Sequence, residues 1–140
     1  MYEEKINAYF DAPERRAELV EAISRLVRIR SVREEPLPGM PFGPGPAAAL
    51  AEGLKLAEEL GFATRNYDNY VGTADLNDKE TALHILCHLD VVGEGTGWTV
   101  TEPYVPKEVD GMLYGRGTDD DKGPVAAVLL AMKAVKELGV

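Results

Sequence analysis

The stretch Leu83-His84-Ile85-Leu86-Cys87-His88-Leu89-Asp90-Val91-Val92 decides the fold of this chain. Its first five residues form an apolar run that is typical of a buried strand, so His88 and Asp90 lie at or just past the strand's carboxyl end. In an open α/β sheet, ligands bind at the edge where the strands end. The sequence therefore predicts a functional site around these two polar side chains.

A second stretch carries acidic residues that complement the histidine. Residues 115–122 read Gly-Arg-Gly-Thr-Asp-Asp-Asp-Lys and lead into a predicted helix from Pro124 to Leu138. One acid before a helix is favoured by the helix dipole, but the three carboxylates Asp119 to Asp121 repel one another unless solvent, hydrogen bonds or a cation compensate. An imidazole and carboxylates at one sheet edge can hold a divalent metal.

Both motifs also have simpler interpretations, which the residues alone leave open. His88 and Asp90 are consistent with an ordinary, partly buried histidine paired with an acid. The acidic triplet is consistent with a charged helix start. A calcium-binding turn is a further alternative, although residues 119–121 lack the regular ligand spacing of an EF-hand loop.

The flanking segments alternate between helical and strand patterns, which predicts an α/β domain with helices packed on a central mixed sheet. A proline-rich and glycine-rich loop interrupts them over residues 35–46. The predicted helices cover about 3–10, 13–30, 47–60 and 124–138, and the predicted strands 63–67, 71–76 and 83–87. Asp110-Gly111 between apolar neighbours predicts a hairpin.

Composition limits the function classes. The 140 residues suffice for one domain, and 24 acidic against 15 basic residues give a net charge of -9, which argues against nucleic-acid and anionic-membrane partners. The first twenty residues lack the apolar core of a signal peptide and no run is long enough to span a membrane, so we expect a cytoplasmic protein. The single Cys87 lies in the apolar run, which favours a buried thiol over a nucleophile.

Taken in order, the motifs resemble a known family. The ordered set resembles the signature of the co-catalytic dinuclear zinc amidohydrolases, which include PepV-like dipeptidases, carnosinase, aminoacylase, carboxypeptidase G and succinyl-diaminopimelate desuccinylase. Residues 41–46 and 68–72 are more similar to the dipeptidase branch than to the deacylases. The resemblance covers nearly the whole chain, and its central motifs are His88-Leu-Asp-Val-Val, Gly97-Trp98 and Asp110-Gly-Met-Leu-Tyr-Gly-Arg-Gly-Thr-Asp-Asp-Asp-Lys-Gly-Pro124.

The resemblance implies a role for each matching residue. His88 is expected to be a metal ligand, Asp120 a carboxylate that bridges two zinc ions, and Asp90 the acid that orients His88, with manganese or cobalt as alternative metals. The bond from Asp120 to Asp121 is often a cis peptide in this family. Asp119 stands where relatives usually have serine or alanine, and we expect it to be exposed.

The resemblance also implies that residues 1–140 are the amino-terminal, truncated portion of a layered catalytic domain. The family's general-base glutamate, its remaining ligands and any lid or dimerisation domain would lie beyond Val140, so we expect weak metal binding and no activity from this piece alone. For the full-length enzyme the implied reaction is metal-dependent hydrolysis of dipeptides.

Two alternatives to a dipeptidase stay open. The first is an N-acyl amino acid deacylase of the acetylornithine deacetylase or succinyl-diaminopimelate desuccinylase type. The second, from another class, is a noncatalytic metal-binding fragment that self-associates as a homo-oligomer, because an open sheet edge can pair with another copy. The expected partners are therefore a small peptide or N-acyl amino acid and a second copy of the chain, with no nucleic acid and no membrane.

Four neighbouring side chains are expected to play supporting parts. His84 is expected to face solvent or a neighbour rather than bind metal. Arg116 and Lys122 are expected to neutralise the acidic turn. Trp98 is expected to anchor the loop between the two motifs by packing.

Overall fold

Helices and short strands alternate along the computed structural model, which describes residues 1–139 and confirms the α/β class. Within this range, no helix is long and apolar enough to cross a membrane. The helices are α1 (Tyr2–Phe10), α2 (Pro13–Val27), α3 (Pro44–Glu59) and α4 (Lys122–Leu138). The strands form two antiparallel pairs, β1 (Ala63–Tyr67) with β2 (Val71–Asp75) and β3 (Lys107–Val109) with β4 (Met112–Tyr114).

The predicted helices are confirmed, although their ends differ. Helix α2 ends at Val27 rather than near Arg30, and α4 begins at Lys122, two residues before Pro124. Helix α3 begins at Pro44, so the prediction that the loop continues to residue 46 was wrong. Proline is favoured in the first turn of a helix because its missing N–H would have no intrahelical partner there.

Both hairpins form where turn residues predicted them. Asp68 and Asn69 adopt positive φ angles of 52° and 58° between β1 and β2. Asp110 and Gly111 do the same between β3 and β4, with φ angles of 51° and 79°. Two consecutive positive φ angles match the right-handed twist of the flanking strands, which is why such sequences close tight hairpins.

The hydrophobic core lies between α2, α3 and α4. Leu26 of α2, Leu56 of α3 and Leu129 of α4 belong to one buried cluster, which Phe62 joins from the segment before β1. Arg25 of α2 reinforces this packing by binding two glutamates of α3, Glu52 and Glu59. The core therefore fixes α4, which directly follows the acidic turn formed by Asp119 to Asp121.

The predicted buried strand at residues 83–87 is not formed. Leu83 and Leu86 are 74% and 94% exposed, and no strand within residues 1–139 pairs with this segment. A strand forms only when a neighbouring strand satisfies its backbone N–H and C=O groups, and an apolar sequence does not supply that neighbour. The expected central sheet is accordingly replaced, in the described part of the chain, by two separate hairpins.

Candidate metal-binding site

His88 lies between two acidic residues that approach opposite nitrogens of its ring. Its Nδ1 is 3.1 Å from the backbone oxygen of Asp90 and 3.4 Å from the Asp90 carboxylate. Its Nε2 is 3.0 Å from Oδ1 of Asp120, which is 32 residues further along the chain. The structure thus brings together the three residues that the sequence singled out, and their roles in metal binding stay predictions.

The two contacts cannot both be satisfied by a neutral imidazole. The carbonyl of Asp90 and the ionised carboxylate of Asp120 only accept hydrogen bonds, whereas neutral histidine has one N–H to donate. When Nδ1 donates to Asp90, Nε2 presents a lone pair to a carboxylate oxygen. The arrangement therefore calls for a positive charge at Nε2, either a second proton or a metal cation.

The electrostatics of the site agree with this geometry. Burial alone would lower the pKa of His88, but the bond to the Asp90 carbonyl, the charges of Asp90 and Asp121 and the bond to Asp120 outweigh it. The pKa of His88 is therefore raised above its ordinary value of 6.5. A metal at this ring would take the place of the proton, because a histidine ligand must be deprotonated at the ligating nitrogen.

The three acids of the turn have different surroundings. Asp119 is exposed, as expected, and Asp120 is exposed while facing the imidazole. Asp121 is half-buried, and its Oδ2 accepts the backbone N–H of His88 at 3.0 Å. The peptide bond between Asp120 and Asp121 is cis, as the resemblance implies. By accepting the N–H of His88, Asp121 holds the backbone of residues 88–91, called the histidine segment. The sequence analysis did not predict this role of Asp121, because no local pattern signals it.

Two glycines permit close packing around the acidic turn, one against Val91 and one within the turn itself. Gly117 has a φ of 87°, and a Cβ at this position would lie 2.8 Å from a methyl group of Val91. A Cβ at Gly123 would lie 2.1 Å from the carbonyl oxygen of Thr118. These distances leave no room for a larger residue, so the turn needs glycine on both sides of the acidic triplet.

The prediction that Arg116 and Lys122 neutralise the acidic turn was wrong. Lys122 is fully buried, its Nζ donates to the carbonyl of Ile29 at 2.7 Å, and burial lowers its pKa to about 8. Arg116 donates to the carbonyl of Glu94 and lies over the ring of Trp98, 5.4 Å from its centre. Within residues 1–139 neither cation pairs with the turn, because Lys122 faces the interior at the start of α4 and the loop holds Arg116.

The loop between the motifs has a fixed shape around Glu94. Its backbone oxygen accepts hydrogen bonds from Trp98 and Arg116, which confirms Trp98 as the anchor of the loop. Its carboxylate binds Arg30 and Tyr104, and its own backbone N–H together with these partners lowers the pKa of Glu94 to about 2. Residues 94–100 line an open cleft of about 350 Å³.

His88 and Asp120 fit a divalent metal as part of a larger ligand set. An imidazole nitrogen and a carboxylate oxygen are donors that zinc accepts. Across residues 1–139, however, no three histidine, cysteine, aspartate or glutamate side chains come together to hold an ion. His84 is exposed, as expected, and Cys87 is half-buried with a pKa raised by burial and by the charge of Asp121. The described residues therefore offer two candidate ligands, His88 and Asp120, and not a complete metal site.

Comparison with known proteins confirms the family resemblance. Residues 84–140, which include both predicted ligands, match the model of Peptidase family M20/M25/M40. The chain is 38% identical over 128 residues to "Putative dipeptidase YtjP" of Bacillus subtilis, a match that covers 90% of this chain and 27% of that protein. It is 37% identical over 142 residues to "Putative dipeptidase SSP1012" of Staphylococcus saprophyticus, a match that covers 100% of this chain and 29% of that protein.

A solved structure extends the similarity to the fold. The crystal structure of human carnosine dipeptidase 1 matches with a TM-score of 0.69 and 28% sequence identity. The match covers 97% of this chain and 31% of that one. The chain thus spans less than a third of the length of these relatives.

Proposed function

We propose that this chain is a segment of an M20-type metallopeptidase. On this premise, the complete polypeptide that contains it hydrolyses dipeptides at a site with two zinc ions. Dipeptidases recur among the similar proteins, which supports peptides over N-acyl amino acids as substrates. His88 and Asp120 are the proposed metal ligands, and Asp90 the proposed orienting acid. The remaining ligands and the general base would come from outside residues 1–140.

One observation carries this proposal. The Nε2 atom of His88 and the Oδ1 atom of Asp120 face each other at 3.0 Å, although the two residues come from separate segments. Both partners of the ring are acceptors, so a cation at Nε2 satisfies the arrangement. In the metal-free chain a proton at Nε2 satisfies these acceptors, and in the complete polypeptide a metal would take the place of that proton.

The chain's own residues would prepare the site. Asp90 contacts Nδ1 of the ring, which would fix the proton on Nδ1 and leave the lone pair of Nε2 to bind a metal. Asp121 fixes the backbone of His88, so the ring and Asp120 keep their separation. When bound, the metal ions would supply Lewis-acid chemistry for attack of water on an amide.

The activity is tested in the complete polypeptide with unmodified dipeptides and N-acyl amino acids as competing substrates. We expect dipeptides to have the larger kcat/KM. Asp90→Asn should lower kcat/KM by roughly 10- to 100-fold, since removing the partner of a ligating histidine has effects of this size. His88→Asn should lower it further, whereas Asp119→Asn is the matched control. Preference for N-acyl substrates, or equal loss in the Asp119 and Asp90 variants, would contradict the proposal.

The isolated chain is proposed to be inactive and to self-associate. Two of the expected ligands do not make a closed metal site, so water activation is not expected from residues 1–140 alone. Leu83, Ile85 and Leu86 expose apolar side chains, and among residues 1–139 no strand pairs with their segment, so it can pair with a second copy. Sedimentation velocity over a range of concentrations tests this, with Leu86→Lys as the variant expected to favour the monomer. A wild-type chain that stays monomeric throughout would rule self-association out.

A further inference from the structure

We propose that Ser31 and Lys122 are positioning residues, which together hold the histidine segment and the acidic turn against one shared piece of backbone. This backbone, residues 29–31 after the end of α2, is named the joint. The inference rests on the proposed function only in treating His88 and Asp120 as the groups whose separation matters. The contacts themselves involve neither metal nor substrate.

Ser31 binds the histidine segment at two points. Its hydroxyl donates to the carbonyl of Leu89 at 2.6 Å, and its backbone oxygen accepts the N–H of Val91 at 3.1 Å. These bonds flank Asp90 on both sides. Ser31 is fully buried, so water does not replace a lost hydroxyl bond there. The segment that carries His88 and Asp90 is therefore fastened to the joint through one side chain and one backbone group.

Lys122 binds the other half of the site to the same joint. It directly follows the acidic triplet, its backbone N–H donates to the Gly117 carbonyl at 3.0 Å, and its Nζ donates to the carbonyl of Ile29 at 2.7 Å. Ile29 and Ser31 are two residues apart. Burying a lysine side chain costs free energy unless its amine is hydrogen-bonded, and the bond to Ile29 reduces this cost. We infer that the buried lysine serves to position the acidic turn.

The two contacts close a loop of interactions around the site. Asp121 accepts the backbone N–H of His88, so the turn and the histidine segment are also joined directly. Loss of the Ser31 hydroxyl or of the Lys122 amine would weaken one of the two attachments to residues 29–31, so the direct bond from His88 to Asp121 would open more often. The backbone N–H of His88 is therefore a local reporter of the positioning, because it exchanges with solvent only when the bond to Asp121 opens.

Native-state hydrogen exchange of the 140-residue chain tests the inference. We expect Ser31→Ala and Lys122→Met each to speed exchange at the His88 N–H by roughly tenfold relative to the Leu130 N–H in the interior of α4. Ser24→Ala removes a buried hydroxyl from α2, and Lys133→Met removes a lysine of α4 that binds Glu18. Both are matched controls and should leave the ratio of the two exchange rates unchanged.

The exchange rates at His88 and Leu130 distinguish a positioning role from a contribution to general stability. Faster exchange at His88 alone, in both test variants and in neither control, supports a positioning role. A parallel change at His88 and Leu130, or no change in either test variant, overturns it, because the residues would then contribute only to general stability or not at all. Since no metal is added, failure of the chain to bind metal would count against the proposed function and would leave this result as it stands.

Discussion

Replacing Lys122 with methionine should remove a pH dependence from the stability of this protein. The side chain is fully buried, and burial lowers its pKa from 10.5 to about 8. Between these two values the unfolded chain holds the lysine proton and the folded chain does not. The free energy of unfolding therefore rises with pH across this window, and this contribution is lost as the pH falls from 10.5 to about 8.

The size of the effect follows from the same two values. The interval between 10.5 and about 8 corresponds to about 3 kcal/mol, at about 1.4 kcal/mol for each pH unit. Tyr9 acts in the opposite direction at higher pH, because burial and its bond to Glu137 raise its pKa to about 12. Comparing wild type with Lys122→Met at each pH removes the tyrosine contribution, since neither Tyr9 nor the residues that shift its pKa differ between these two proteins.

Urea denaturation between pH 7.5 and 10.5 measures the difference. Wild type and the Lys133→Met control should gain about 3 kcal/mol more than Lys122→Met over this range. Lys133 is a suitable control because it also lies on α4 but is only partly buried and forms salt bridges to Glu18 and Glu137. Parallel stability curves for all three proteins would refute the argument, since the amine of Lys122 would then be as well solvated in the folded as in the unfolded state.

Two further predictions concern packing. Gly123→Ala should lower the free energy of unfolding, measured by urea denaturation, by about 2 kcal/mol, because the new Cβ would meet the Thr118 carbonyl. Gly93 lies in open space, so Gly93→Ala is the control and should change stability by less than about 0.5 kcal/mol. Leu26→Ala should cost about 2 to 5 kcal/mol because Leu26 is fully buried, and Leu86→Ala should cost less than about 0.5 kcal/mol. Equal losses for the two leucine variants would mean that residues 83–87 are buried after all.

Local features of the fold could be predicted because they depend on neighbouring residues. Helix α2 begins at Pro13 as predicted, and the hairpins follow from Asp68-Asn69 and Asp110-Gly111, which tolerate positive φ angles. The pairing of His88 with Asp120 came from the family resemblance. Spacing along the chain did not reveal it, because the two residues are 32 positions apart.

The predictions that failed required knowledge of tertiary structure. The apolar run at residues 83–87 indicates a strand, but no strand among residues 1–139 pairs with it. Lys122 follows three acids, which suggested an ion pair, yet its side chain turns inward to the Ile29 carbonyl. The bonds from Ser31 to Leu89 and from His88 to Asp121 join a side chain to distant backbone, and such bonds leave no periodic pattern in a sequence.

The most direct test of the central claim, that His88 and Asp120 bind a divalent metal, is an NMR titration of the chain with Zn²⁺. The two histidines provide an internal comparison, because within residues 1–139 the carboxylate contact at Nε2 is found for His88 and not for His84. We expect the ring signals of His88 to shift and saturate while those of His84 stay in place. The affinity of the chain for Zn²⁺ should be at least about tenfold weaker in Asp120→Asn and unchanged in Asp119→Asn. Equal shifts of both histidines, or equal affinities in the two aspartate variants, would contradict the claim.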